Sequence, residues 1–189
     1  MALIKTRSRG INLADTFNFT GTLQQDGGSV GGGNTPSFLA YLTSNQSIAH
    51  NTNTHIHLNG EYFDTGGCYN NTGSTATLNG VSAPLYSFAP NVAGKYFIGA
   101  KGRADTSNDG TATTTQLWKN GSIFAQVRDS LDNAESMFIG ILIDLDGTDD
   151  YVQMYQYQNS GSGTVANGTG TFGADQTTSH MFGYLISGA

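Results

Sequence analysis

Tyr86-Ser87-Phe88-Ala89-Pro90-Asn91-Val92-Ala93-Gly94-Lys95-Tyr96-Phe97-Ile98 is the stretch that decides the fold. A short apolar segment, 85–88, runs into Pro90 and Gly94, and a second one, 94–101, follows. Pro cannot donate to a sheet ladder and Gly marks a turn, so the pattern predicts two strands with punctuation between them. The same grammar continues downstream. Thr113–Lys119 and Ser122–Val127 flank Asn120-Gly121, a dipeptide suited to a two-residue hairpin turn because both residues tolerate positive φ. Met137–Leu145 alternates strictly, with Met137, Ile139, Ile141, Ile143 and Leu145 on one face and Phe138 and Leu142 on the other. Beyond a turn at Asp146-Gly147-Thr148-Asp149, the segment Tyr151–Tyr157 alternates again. Val152 and Met154 point one way; Tyr151, Gln153, Tyr155 and Tyr157 point the other. His180–Ile186 closes the pattern.

Upstream, Phe38–Leu42, His55–Leu58 and Glu61–Phe63 read as further strands, with Asn59-Gly60 as a hairpin-type turn between the last two. The span 64–82, rich in Gly, Asn, Thr and Ser, reads as a long loop or weak strand. No segment holds a 3.6-residue apolar period over three turns, and Ser130–Ser136 has room for one helical turn at most. Eight to ten short strands, about, with loop punctuation define an all-β sandwich or barrel. Three regions follow: an extended arm over 1–26, a Gly-rich linker over 27–35, and a folded domain over 36–189. The arm carries too few apolar residues to fold alone, so Leu13, Phe17 and Phe19 are its candidates for anchoring on a partner.

The chain of 189 residues carries a net charge of −6, unevenly distributed. Three of its eight basic residues, Lys5, Arg7 and Arg9, lie in the first ten positions. An acidic body argues against nucleic-acid binding by the folded domain, since phosphate neutralisation requires clustered Lys and Arg. No run approaches the ~20 apolar residues of a membrane span, and the start of the chain lacks the apolar core of a signal peptide. With one cysteine, Cys68, there is no internal disulfide framework.

Four motifs in this order resemble the trimeric jelly-roll superfamily of tumour necrosis factor and the complement one-q globular head. Ser87-Phe88 through Gly94-Lys95-Tyr96-Phe97 is similar to the family's aromatic strand, Pro-containing turn and Gly-x-Tyr-Tyr/Phe. Gln116-Leu117-Trp118-Lys119-Asn120-Gly121 resembles its Leu-x-Lys-Asn-Gly hairpin. Phe138 to Tyr155, with Leu145-Asp146-Gly147 between two strands, resembles its Leu-x-x-Gly-Asp-x-Val step. Phe182-Gly183-Tyr184-Leu185 is similar to its Phe-x-Gly-x-Leu last strand, one residue shorter. The likeness covers residues 37–189. The turn Asp146–Tyr151 and the long 64–82 loop depart from the pattern. Separately, Ile4-Lys5-Thr6-Arg7-Ser8-Arg9-Gly10-Ile11-Asn12-Leu13-Ala14-Asp15-Thr16-Phe17 resembles the N-terminal stretch of structural proteins of tailed bacteriophages, marine cyanophages in particular.

These resemblances imply an antiparallel jelly-roll β-sandwich that assembles as a homotrimer on a virion, with phage capsid or tail proteins as partners. Two sheets enclose an apolar interior; here Phe88, Tyr96 or Phe97, Ile98, Leu117, Ile141, Ile143, Val152, Met154 and Leu185 are expected inside. Phe138, Leu142, Tyr151, Tyr155 and Tyr157 fall on outward faces, where large apolar groups call for a second burial surface, and are expected at the trimer interface. A body displayed in this way is also suited to binding a host-surface glycan or protein through polar loops such as 64–82 and 157–178.

No constellation points to catalysis, a cofactor or a resident metal. Asp144-Leu145-Asp146-Gly147-Thr148-Asp149-Asp150 clusters four carboxylates in a turn, but lacks the twelve-residue loop and terminal Glu of a calcium hand, and reads as a solvated turn. His55 and His57 lie on one face of a strand, which is two ligands short of a zinc site. Gly27-Gly28-Ser29-Val30-Gly31 matches Gly-x-Ser-x-Gly without the flanking strand and helix that shape a nucleophile, so Ser29 reads as a linker serine. The expectation is a non-enzymatic protein of the virion.

Overall fold

The computed structural model describes residues 24–25, 28–29, 35–105, 110–131, 134–159, 164–166 and 179–189. The chain divides after Gly33 into two units. In the first, β1 (Gln24–Gln25) pairs antiparallel with β2 (Gly28–Ser29). Part of the expected linker is thus a short ladder, and the intervening sequence, Asp26-Gly27, is a dipeptide that favours hairpins. Leu13, Phe17 and Phe19 lie outside the described residues.

The second unit, Asn34–Ala189, contains β3 (Ser37–Tyr41), β4 (Gln46–Ile48), β5 (Thr54–His55), β6 (Gly60–Thr65), β7 (Tyr69–Asn70), β8 (Ala76–Leu78), β9 (Val81–Ala83) and β10 (Ser87–Phe88). It continues with β11 (Gly94–Asp105), β12 (Gly110–Lys119), β13 (Ser122–Leu131), β14 (Ala134–Leu145), β15 (Val152–Gln158), β16 (Thr164–Ala166) and β17 (His180–Gly188). Every named pairing is antiparallel, and no helix occurs among the described residues. The helical turn considered for 130–136 is replaced by the end of β13 and the start of β14.

Two sheets form. Sheet I runs β13-β12-β15-β10-β7, with β5 also on β15. Sheet II places β11 at its centre: β14 lies along one edge of it from Gly94 to Asp105, and β17 and then β16 lie along the other. β3 and β6 extend sheet II beyond β17, and β4 pairs with β16. The chain is an antiparallel all-β jelly roll.

The alternation read from the sequence places the core correctly. Phe38, Phe88, Tyr96, Ile98, Leu117 and Met154 are fully buried between the sheets, with Val152, Ile143 and Leu145 nearly so; Ile141 and Leu185 pack at its margin. Of the pair Tyr96 and Phe97, Tyr96 points inward. Phe38 stacks between Phe88 and Tyr69, with ring centroids 4.3 and 5.1 Å away, so β3, β7 and β10 are joined across the sandwich by aromatic contact. Gly183 lies inward, where a β-carbon would meet the Ile98 and Phe38 side chains.

The turns divide sharply. Asn120 and Gly121 take φ of 51° and 76°, as the hairpin turn requires, and join β12 to β13. Asn59-Gly60 does not turn a hairpin: β5 pairs with β15 and β6 with β3. Gly60 instead sits in a strand, where a β-carbon would lie 2.6 Å from the Tyr41 ring, so its glycine serves close packing and not a turn. Within the span 64–82, which reads from sequence as a long loop or weak strand, a hairpin is found at Asn79-Gly80, where β8 meets β9.

Candidate assembly interface

The outward side of sheet II is built by the same alternation that fills the core. Because Tyr96, Ile98 and Ala100 point inward on β11, Phe97, Gly99 and Lys101 point outward. On β14 the outward set is Phe138, Gly140 and Leu142; on β17 it is His180, Phe182 and Tyr184; on β3 it is Ser37, Leu39 and Tyr41. Antiparallel register then lines these residues into rows that cross the sheet. One row reads Phe63, Leu39, Phe182, Gly99, Gly140, each directly opposite the next. The adjacent row reads Tyr184, Phe97, Leu142.

The two glycines shape this face. A β-carbon on Gly99 would lie 2.5 Å from the Phe182 ring, and one on Gly140 would lie 2.8 Å from the Phe97 ring. The rings therefore lie down over glycine backbone. Phe97 is 5.7 Å from Tyr184 and 6.1 Å from Phe182, and Phe182 is 6.2 Å from Phe138, all centroid to centroid. The result is a low, continuous aromatic sheet face with Leu142 64% and Phe138 53% exposed. At one margin the Lys95 ammonium meets the Asp144 carboxylate at 2.7 Å; at the other stand Lys101 and His180. A contiguous apolar surface rimmed by charge is what an interaction surface looks like, and scattered exposed apolar residues are not.

The outward side of sheet I has a different composition. Tyr155 is stacked between Trp118 and His55, at 4.1 and 4.8 Å, and His57 stacks on Tyr86 at 4.7 Å. These rings stand face to face along neighbouring strands, spending their faces on one another. Tyr157 donates its hydroxyl to Asn51 Oδ1, and Tyr151 packs on the small cluster of Val81, Ala83 and Ala89. Gln116 is 3% exposed and ties the surface together: its amide donates to Asn53 and Gln126 and its carbonyl accepts from the Trp118 indole.

The five residues expected at one interface therefore divide. Phe138 and Leu142 lie on the aromatic face of sheet II, whereas Tyr151, Tyr155 and Tyr157 lie on sheet I. The turn at 146–149 carries the chain from one sheet to the other, so neighbouring strands in sequence do not share a surface. Sequence reasoning missed Phe97, Phe182, Tyr184, Leu39 and Phe63. The signal for the first three was present in the alternation around Tyr96 and Gly183, once the inward partner was settled.

The remaining candidates are quieter. Asp146 Oδ1 accepts the backbone N–H groups of Thr148, Asp149 and Asp150, and the Thr148 N–H foremost holds its carboxyl below the usual range. Asp150 accepts from Asn120, from the Asp146 N–H and from the Lys119 ammonium at 2.8 Å. Asp146, Asp149 and Asp150 bring carboxylate oxygens within 4.8 Å of one another, but much of their accepting capacity closes the turn itself. His55 and His57 are edge to face at 5.6 Å. Burial, and secondarily His57, lowers His55 to about 4; burial lowers His57 as well. Cys68 is buried, and burial pushes its thiol up, away from reactivity. No helix among the described residues is long and apolar enough to cross a membrane.

No protein-family model and no curated protein matches the sequence. Solved structures do match in fold. The globular domain of zebrafish complement 1qA superposes with a TM-score of 0.52 at 13% identity, covering 82% of this chain and 98% of that one. The Eiger tumour necrosis factor of S. frugiperda gives 0.52 at 10% identity, covering 82% and 95%. The vertex protein P5 of PRD1 gives 0.50 at 16% identity, covering 82% and 100%. The chain thus has the jelly roll of the tumour necrosis factor and complement one-q type, as the four motifs implied.

Proposed function

We propose that this chain is a non-enzymatic structural protein of a bacteriophage virion, a homotrimer displayed on the particle as a capsid decoration or head fibre and anchored by residues 1–26. The observation that carries the reading is the aromatic face of sheet II, which five strands contribute to and which the chain's own core leaves uncovered. The family resemblance supplies threefold packing as the way to cover it. Fully burying an exposed large apolar side chain contributes about 1.5–3 kcal/mol before the costs of association, and less for Phe97, Phe182 and Tyr184, which are already half-buried; Phe138, Leu142 and Phe63 have the most to gain. The fold likeness to a vertex protein of PRD1 supports a place on a particle, as does the resemblance of the N-terminal stretch to tailed-phage structural proteins.

Removal of residues 1–26 tests the division of labour. The truncated protein is expected to remain a soluble trimer and to disappear from purified particles. A truncated protein that still decorates particles contradicts the anchoring role.

A second reading has its own support. The outward side of sheet I is polar, ring-bearing and cleft, which suits a tail-fibre or host-receptor module that recognises glycan. The two readings are compatible, since they use opposite sides of the sandwich.

A further inference from the structure

Two clefts flank the ring row of sheet I. One, of about 190 Å³, is lined by Gln46, Asn45, Asn59, His57 and Tyr86 among others. The other, of about 230 Å³, is lined by Asn53, Thr114, Gln116, Gln126, Arg128 and Tyr157, with Ile123 at its side. Both are smaller than the roughly 300–1,000 Å³ of a drug-sized ligand site. The larger cleft is organised before any ligand arrives. Gln116 is held from three directions, by Asn53, Gln126 and Trp118. Tyr157 is fixed through its hydroxyl to Asn51. Amide, hydroxyl and ring groups of this kind offer donors and acceptors together at defined positions.

Arg128 adds the one feature that narrows the ligand. Its guanidinium makes no ion pair among the described residues, although the chain is acidic and two of its lysines are paired. Lys95 meets Asp144, and Lys119 meets Asp150. No carboxylate lines the cleft. The planar fork of Arg suits bidentate recognition of a carboxylate. The cleft lies on the face of the sheet, where β12 is hydrogen-bonded on both edges, to β13 and β15. Extended peptides are taken up by strand addition along the edge of a sheet; β13 is the edge strand here, but Arg128, Gln126, Thr114 and Gln116 project from the face of β13 and β12, out of the plane in which an added strand would pair.

We propose that the cleft between Arg128, Gln116 and Tyr157 binds one carboxylate-bearing sugar unit of an acidic glycan. The guanidinium takes the carboxylate; Gln126, Thr114 and Asn53 take ring hydroxyls. This gives the second reading above a site and a ligand class, and it is independent of threefold assembly.

Trp118 is the sole tryptophan of the chain, and its indole is bonded to Gln116 in the cleft floor. Its fluorescence therefore reports occupancy. The full-length protein is titrated with N-acetylneuraminic acid and glucuronic acid, and with their methyl esters as uncharged counterparts. A saturable response to an acid is expected, weakened about tenfold in the ester, weakened similarly by Arg128→Gln, and reduced by added salt. Circular dichroism of Arg128→Gln checks that the fold is kept. No saturable response to either acid up to about 100 mM, which corresponds to roughly −1.4 kcal/mol, overturns the site and leaves the second reading without a ligand. Binding that persists unchanged in the esters or in Arg128→Gln overturns this site while leaving glycan recognition elsewhere on the chain. Neither result alters the oligomeric mass.

Discussion

The two outward faces of this sandwich are made from the same kind of strand and differ in how their aromatic rings are used. On sheet II, Phe97, Phe182 and Phe138 lie flat across Gly99 and Gly140, with Phe138 and Leu142 exposed and Phe97 and Phe182 half-buried. On sheet I, Trp118, Tyr155 and His55 stand in a stack, at 4.1 and 4.8 Å, so that ring faces are covered by one another within the chain. The first arrangement leaves area to be covered by another body; the second completes itself. Aromatic content alone does not mark an interface. What marks it is how the rings lie: glycine beneath a ring lets it lie flat on the sheet with its outer face uncovered, whereas a stacked ring has its faces covered by its neighbours.

The largest expected effect separates the two faces directly. Phe182→Asp places a charge in the middle of the aromatic row and is expected to weaken association more than a thousandfold, beyond about 4 kcal/mol, giving monomers in sedimentation. Tyr155→Asp, the same change on sheet I, is expected to leave the assembly mass unchanged. Monomers from both variants, or from neither, would erase the distinction.

Acid addresses sheet I next. His55 stays neutral in the fold down to about pH 4, because burial and His57 disfavour its charge, whereas in the unfolded chain it takes a proton near 6.5. The unfolded state thus binds more protons between those values. Stability from this residue is fully present above pH 6.5 and is lost as pH falls towards 4, by about 3 kcal/mol. Urea denaturation at pH 7.5 and pH 4.5 measures it, and His55→Phe is expected to flatten most of that difference.

Gly99→Val probes the glycine signature. Its β-carbon meets the far end of the Phe182 side chain, which can swing outward, so the folding free energy is expected to change by about 1 kcal/mol or less. The aromatic face loses its flatness, and trimer dissociation is expected at protein concentrations at least tenfold higher than for the parent. The smallest effect belongs to Trp118→Phe, which removes the 2.7 Å bond to Gln116 while keeping the stack on Tyr155. About 1 kcal/mol of stability is expected to be lost, with no change of mass.

Much of this architecture was legible in the sequence because side chains alternate along a strand with period two. Met137 to Leu145 and Val152 to Met154 identified their buried faces, and Asn120-Gly121 its hairpin. What alternation does not carry is the partner of each strand. Alternation puts both Tyr155 and Phe138 on outward faces but does not say that these are faces of different sheets, since the turn between β14 and β15 takes the backbone across the sandwich. Asn59-Gly60 misled for a related reason: a glycine needed beside the Tyr41 ring looks the same in sequence as a glycine needed in a turn. The ring row on sheet I draws His55, His57, Tyr86, Trp118 and Tyr155 from four separate segments, and no local pattern brings those together.

The mass of the full-length chain in solution, measured by sedimentation equilibrium at micromolar concentration, tests the assembly claim most directly. The account predicts about three times the 19.9 kDa of a single chain. A stable species of 19.9 kDa, with the aromatic side of sheet II left open to water, would contradict it.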